Sequence, residues 1–176
     1  MALKKFFLWL FPLALLLSAN CGSASRGGRL QSWETANSSF KIRVTSYEEK
    51  GTSLPGTFYV FESGKVGTEV WREFMVLRHD DRPALPNDQI RFVNERIGFV
   101  FMGWMYAITT DGGESWSVWN AAKDVPDWNW SKYGVISDVR IEPDGAGKMV
   151  LKSIADPNRQ VPDFWTTDFG RHWKVK

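Results

Sequence analysis

A single cysteine, Cys21, and two histidines, His79 and His172, are all that this chain has of the residues that most readily staple a fold or hold a metal. One cysteine excludes an intrachain disulfide, so a folded domain must rest on its core. The two histidines stand alone in sequence, without the His/Cys spacing of a zinc site, and no metal or other cofactor is expected. An excess of either charge is also missing. Of 22 Lys and Arg, two (Lys4 and Lys5) lie in the first twenty residues, which hold no acid; that leaves 20 against 20 Asp and Glu. A balanced chain lacks the basic surface that nucleic acid binding needs, and it has no strong pull toward anionic lipid. No stretch of ten or more residues reads as a helix beyond the leader.

The leader is distinct from the rest. Lys4 and Lys5 precede the apolar run Phe6–Leu17, followed by the small residues Ser18 and Ala19. This is the pattern of a secretory signal, and it is shorter than the about 20 apolar residues of a membrane-spanning helix. Leu17-Ser18-Ala19-Asn20-Cys21 resembles a bacterial lipobox. The resemblance implies acylation at Cys21 and attachment to the membrane through that anchor only; cleavage nearby without acylation is the alternative. Gly22 after Cys21 lacks the Asp that marks inner-membrane retention in some bacteria. The expected division is a signal peptide over 1–20, a lipid-anchored flexible tether over 21–32 (Gly- and Ser-rich), and one domain over 33–176.

What the chain does have is aromatic residues and a repeated turn. Ten Trp and twelve Phe suit β-strands and bury much area per residue. Thr109-Thr110-Asp111-Gly112-Gly113-Glu114-Ser115-Trp116 is matched by Thr166-Thr167-Asp168-Phe169-Gly170-Arg171-His172-Trp173, with Thr, Asp, Gly and Trp at the same four places. A repeated turn implies a repeated supersecondary unit. Each reads as a hairpin turn. The Asp accepts backbone N–H bonds further along the turn and the Thr hydroxyl adds another local bond, the Gly permits a positive φ, and the Trp opens the outgoing strand.

The pattern is similar to the Asp-box, or bacterial neuraminidase repeat. The run Ile90–Trp116 also resembles repeats of the photosystem II assembly and stability factor group, over about residues 88–120 and on fewer positions over 134–176. The resemblance implies that Thr109, Asp111, Gly113, Trp116, Thr166, Asp168, Gly170 and Trp173 are structural, placed at hairpins of propeller-like blades away from any binding face.

Strands are expected at Phe40–Ser46, Thr57–Phe61, Val70–Leu77, Ile90–Val93, Gly98–Met102, Met105–Thr109, Ser115–Trp119, Val135–Ile141, Met149–Ile154, Phe164–Thr166 and Trp173–Val175. Turns are expected at Ser63–Lys65 and Asp144–Gly147, and a loop over His79–Asp88. The expected fold is all-β: antiparallel four-stranded meanders, arranged as a partial propeller or a sandwich. The length allows about three blades, too few for a closed propeller. Free sheet edges would call for covering loops or a homo-oligomer.

Catalytic constellations are thin. Glu48, Glu49, Asp80 and Asp81 are the carboxylates to consider for glycosidase chemistry, and they read better as solvated acids. Asp80, Asp81 and Asp88 are too few for a calcium site. Gly145-Ala146-Gly147-Lys148 lacks the rest of a phosphate loop. One segment suits binding: Trp119, Asp127, Trp128, Trp130 and Tyr133 interleave aromatic and polar side chains, as contact surfaces do. The competing reading is that these rings pack in the core or cover a sheet edge. The function expected is therefore an exported, non-enzymatic binding or assembly module at the bacterial cell envelope, with an envelope protein as partner. A carbohydrate-binding module using residues 116–133, or a minimal glycosidase relative, is the alternative. If Asp111 is a turn brace, Asp111→Ala lowers stability by about 1–3 kcal/mol in a denaturant titration, and an unchanged midpoint sinks that role.

Overall fold

The computed structural model describes residues 25–51, 56–80, 87–126, 128–129, 133–156 and 158–175. The signal sequence, Cys21, Asp81, Asp127 and Trp130 lie outside the described residues. The chain is all-β, in three four-stranded antiparallel sheets that follow one another in sequence. Sheet I holds β1 (Ser25–Ala36), β2 (Phe40–Lys50), β3 (Thr57–Lys65) and β4 (Arg72–His79). Sheet II holds β5 (Ile90–Phe92), β6 (Gly98–Met102), β7 (Met105–Thr109) and β8 (Ser117–Asn120). Sheet III holds β9 (Val135–Ile141), β10 (Gly147–Lys152), β11 (Phe164–Thr166) and β12 (Lys174–Val175). One short helix, α1 (Ala121–Asp124), follows β8; the Asn120 side chain accepts from the Ala122 amide and caps it.

The sheets stack face to face, with sheet II in the middle. Its strands are buried on both sides, which explains the unbroken apolar runs of β6 and β7. Val100, Met102, Met105 and Ala107 point toward sheet I and meet Phe40, Ile42, Val44, Tyr59, Phe61, Met75 and Leu77. Phe99, Phe101, Tyr106 and Ile108 point the other way and meet Ile136, Val139, Ile141, Met149, Leu151 and Phe164. A period of two in side-chain direction turns each apolar run into two core faces.

Among the described residues no sheet lies against the outer face of sheet I, yet it is partly covered. Thr45 and Val60 pair across β2 and β3 on that face, and each is only 2% exposed. Sheet I curls far enough for Arg26 on β1 to reach Glu73 on β4 at 3.0 Å, although these are opposite edges. Two register shifts in β1, between Arg26 and Arg29 and between Arg29 and Gln31, assist the curl. This corrects the reading of 21–32 as a flexible tether: from Ser25 onward the segment is a strand. Its Gly- and Ser-rich composition reads as floppy only while its partner β2 is unknown. Gly27 is used for close approach, since a Cβ there would sit 2.9 Å from the Glu48 carbonyl oxygen. A second correction concerns Ser63–Lys65, read as a turn. The ladder to β2 continues to Lys65, paired with Phe40, and the bend falls after it.

The two repeated turns join neighbouring sheets. The turn between β7 and β8 lies against sheet I. Trp116 stacks on Phe74 of β4, with ring centroids 3.8 Å apart. Its indole N–H donates to Ser63 Oγ on β3 at 3.0 Å, and that hydroxyl donates to the Gly113 carbonyl at 3.0 Å. The turn between β11 and β12 lies against sheet II in the same manner. Trp173 meets the Tyr106 ring edge-on at 5.4 Å and lies 6.2 Å from Trp119, while the Tyr106 hydroxyl donates to the Phe169 carbonyl at 3.1 Å. Gly170 is required here twice over. Its φ is +73, and a Cβ would fall 2.6 Å from the Tyr106 ring.

Ser63 thus couples sheet I to the first turn. Ser63→Ala strands the Trp116 N–H and is expected to cost about 1–3 kcal/mol, read as a lower denaturation midpoint. An unchanged midpoint would show that this bond does not join the sheets.

Candidate functional site

The side chains of the two turns form one repeated network. Thr109 Oγ1 donates to Asp111 Oδ1 (2.8 Å) and accepts from the Gly113 amide (2.9 Å). Asp111 Oδ1 accepts from the Glu114 and Ser115 amides at 3.1 and 3.0 Å. In the second turn Thr166 Oγ1 donates to Asp168 Oδ1 (2.7 Å) and accepts from the Gly170 amide (2.9 Å). Asp168 Oδ1 accepts from the His172 amide at 3.1 Å. The variable residue five places after the Thr's successor changes the second oxygen's partner: the Ser115 hydroxyl on Asp111 (2.5 Å), the His172 ring on Asp168 (2.6 Å).

These contacts set the electrostatics. Partial burial alone would raise the Asp168 carboxyl. The bonds from the His172 ring, the Thr166 hydroxyl and the His172 amide outweigh it and hold the group at about 2. Asp111 is lowered for the same reasons, with burial opposed by the bonds from Ser115, Thr109 and the Glu114 amide. Burial, and then the Asp168 charge, push the Tyr106 hydroxyl well above its ordinary value, which keeps it a donor.

The aromatic segment is placed differently from the surface expected of it. Trp119 is 6% and Tyr133 5% exposed, and both belong to the core between sheets II and III. They are corrected from binding surface to core. Trp128 is half-buried against the same core and stacks on Tyr133, centroids 5.0 Å apart. The physical reason is that α1 turns the chain directly after β8, so these rings close the sheet II–III core at its edge.

An exposed aromatic surface lies elsewhere, on the outer face of sheet III. Trp165, at the centre of β11, is 39% exposed. The Lys148 ammonium lies 5.3 Å from its ring centroid and pairs with Asp163 at 2.6 Å. Beside it is a recess of about 450 Å³ lined by Trp165, Thr167, Asp168, His172, Lys174 and Val175. Such a volume falls in the range of small-ligand clefts. Sequence reasoning missed this face because β11 has only three residues, too few for a visible alternation.

Of the candidate carboxylates, Glu49 and Asp80 are paired with Arg78, and the burial of Glu49 corrects its reading as a solvated acid. Glu49 is buried, accepts the Gly56 amide at 2.9 Å, and receives Arg78 Nε and Nη2 at 2.9 and 2.8 Å. Arg78 Nη1 also binds Asp80. His79 lies against Trp104 and Tyr59, with centroids 5.1 and 6.1 Å away. Gly145, in the supposed phosphate-loop fragment, is a hairpin residue at φ +91. Among the described residues no three His, Cys, Asp or Glu side chains come together as a metal site.

A third, altered copy of the turn emerges from the strand positions. Gly64 pairs with Lys41 on β2 as Thr109 pairs with Gly98 on β6. Gly64–Trp71 therefore occupies the place of Thr109–Trp116, with Val66 where Asp111 stands. Trp71 lies under Lys41 and Arg43 on the outer side of sheet I, at 4.3 and 4.2 Å.

Compared with known proteins, the chain matches no family model, no curated protein and no solved structure.

The Asp168 shift has a pH signature. Its folded value is lowered from 3.8 to about 2, so its contribution to stability is complete above about 3.8 and is lost as pH falls toward 2. Over that window the wild type should lose more melting temperature than Asp168→Asn, and equal losses would overturn the assignment.

Proposed function

We propose that this is an exported, non-enzymatic binding module of the bacterial cell envelope, anchored through Cys21 and built from Asp-box-like turns. One observation carries the reading. The three-sheet stack has unlike ends: buried Thr45 and Val60 show the outer face of sheet I partly covered, whereas on sheet III Trp165 is 39% exposed beside a recess. Exposed tryptophan on a rigid sheet is a frequent anchor of contact surfaces. The Asp-box resemblance supports a scaffold role for the turns, and the signal sequence and lipobox resemblance support the location. A fold by itself does not assign the partner.

The expected partner is a protein of the same envelope. Residues 22–176, tethered at their N-terminus, should retain a specific protein from a detergent-solubilised envelope, and Trp165→Ala should release it while the melting curve stays unchanged. Retention that survives Trp165→Ala but is lost with Trp128→Ala in a still-folded variant would move the contact to the 116–133 segment.

A further inference from the structure

The outer face of sheet III carries a cross-strand row. Arg140 on β9 pairs with Lys148 on β10, Lys148 with Trp165 on β11, and Trp165 with Lys174 on β12. Residues directly opposite one another share a face. Met149, Val139 and Phe164, their sequence neighbours, point into the core, which sets this row on the outside. Three cations and one indole thus lie in a line across four strands, about 4.8 Å per strand.

The arrangement is costly for an isolated sheet. Like charges directly opposite each other destabilise a pair of strands, and Arg140 faces Lys148. The nearby acids relieve this only in part. Asp163 holds Lys148 at 2.6 Å, and Asp138 is shared between Arg140 (3.3 Å) and Arg91 (2.8 Å). Lys174 has no carboxylate within ion-pair distance among the described residues. The row adjoins the recess lined by Trp165, Thr167, Asp168, His172 and Lys174, where the Asp168 carboxylate is already bonded by the Thr166 hydroxyl and the His172 ring.

We infer that this row is a binding site for an acidic polysaccharide. A pyranose ring has a flat C–H face that packs on an indole, as apolar area does generally. Its carboxylates project from the ring edge, toward cations on either side of the platform. Trp165 lies between Lys174 on β12 and Lys148 on β10, whose ammonium reaches over the ring at 5.3 Å from its centroid. A carboxylate on a peptide brings charge without the flat partner, which leaves the indole unused. Thr167 and His172 line the recess wall, the His172 Nδ1 being taken by Asp168 at 2.6 Å. The inference rests on the reading of the chain as a binding module, and at Trp165 it sets a saccharide in place of the protein partner.

The test uses residues 22–176 on immobilised polygalacturonate, with neutral dextran and single-stranded DNA as parallel matrices. Retention on polygalacturonate, absence from dextran, and weakening with added salt are the expected results. Lys174→Gln and Trp165→Ala should each reduce retention at least tenfold, and the double variant further, with melting curves unchanged. Arg140→Gln provides a second exposed position should Trp165→Ala fail to fold. Equal retention on DNA would overturn the saccharide in favour of charge alone. Retention untouched by these substitutions would overturn the site. Absence of retention on polygalacturonate, in a chain that still captures an envelope protein, would overturn the saccharide and leave the binding module standing. Absence of both would remove the module reading as well.

Discussion

The docking of a tryptophan from one sheet into the sheet before it is the contact on which the molecule depends. The three sheets have no disulfide and no described metal site to hold them in order. Two turns supply the order instead. Trp116 stacks on Phe74 and bonds Ser63; Trp173 meets Tyr106 and Trp119. The Asp and Thr of each turn act upstream of that contact. They satisfy the amides of a tight turn, fix its shape, and so aim the indole. The glycines then let the turn backbone come close to the receiving ring. A stack without these turns would have only non-directional apolar faces, which do not specify how one sheet sits on the next.

The two copies are not energetically equal, and the difference is traceable to one position. Ser63 precedes Gly64 as Ile108 precedes Thr109. Ser63 accepts the Trp116 N–H, but an isoleucine accepts nothing. The Trp173 indole nitrogen is accordingly buried with no acceptor. The second junction offsets this elsewhere. Tyr106 bonds the Phe169 carbonyl, a contact for which the first junction has only the Phe61 ring in the corresponding position. The first junction keeps two polar bonds through Ser63, from the Trp116 indole and to the Gly113 carbonyl, where the second keeps the Tyr106 bond to the Phe169 carbonyl.

Much of this architecture is readable in sequence, and for definite reasons. β6, β7, β9 and β11 fall where periodicity and the repeated turn place them, because in those strands local pattern and tertiary environment agree. The turn network follows from Thr, Asp and Gly at fixed spacing, since every bond within it is local. The failures are long-range. β1 was hidden because a Gly- and Ser-rich segment becomes a strand only through the ladder that β2 provides. Trp119 and Tyr133 carry the composition of a surface, yet they are core, because side-chain type does not reveal which face of a sheet has a neighbour. The outer row of sheet III is spread over four strands, and no contiguous stretch of sequence displays it. The altered turn at Gly64–Trp71 escaped because Val66 replaces the Asp; register against β2, not pattern, reveals it.

That altered turn also explains why the stack has two unlike ends. In sheets II and III the turn faces a preceding sheet, and its Asp, Gly and Trp are all in use. Among the described residues no sheet precedes sheet I, and its turn carries Val66 in place of the Asp. Trp71 packs instead under the stems and charges of Lys41 and Arg43. At the other end the receiving positions change. Phe61 and Tyr106 lie three residues before the start of their turns; the residue three before Thr166 is Asp163. It is half-buried and held by Lys148. Tyr106 receives Trp173 at that position, whereas Trp116 stacks on Phe74; a further turn of the same kind would meet the Asp163 carboxylate where Tyr106 stands. The open face of sheet III is therefore suited to a different kind of occupant from the one its two inner counterparts receive.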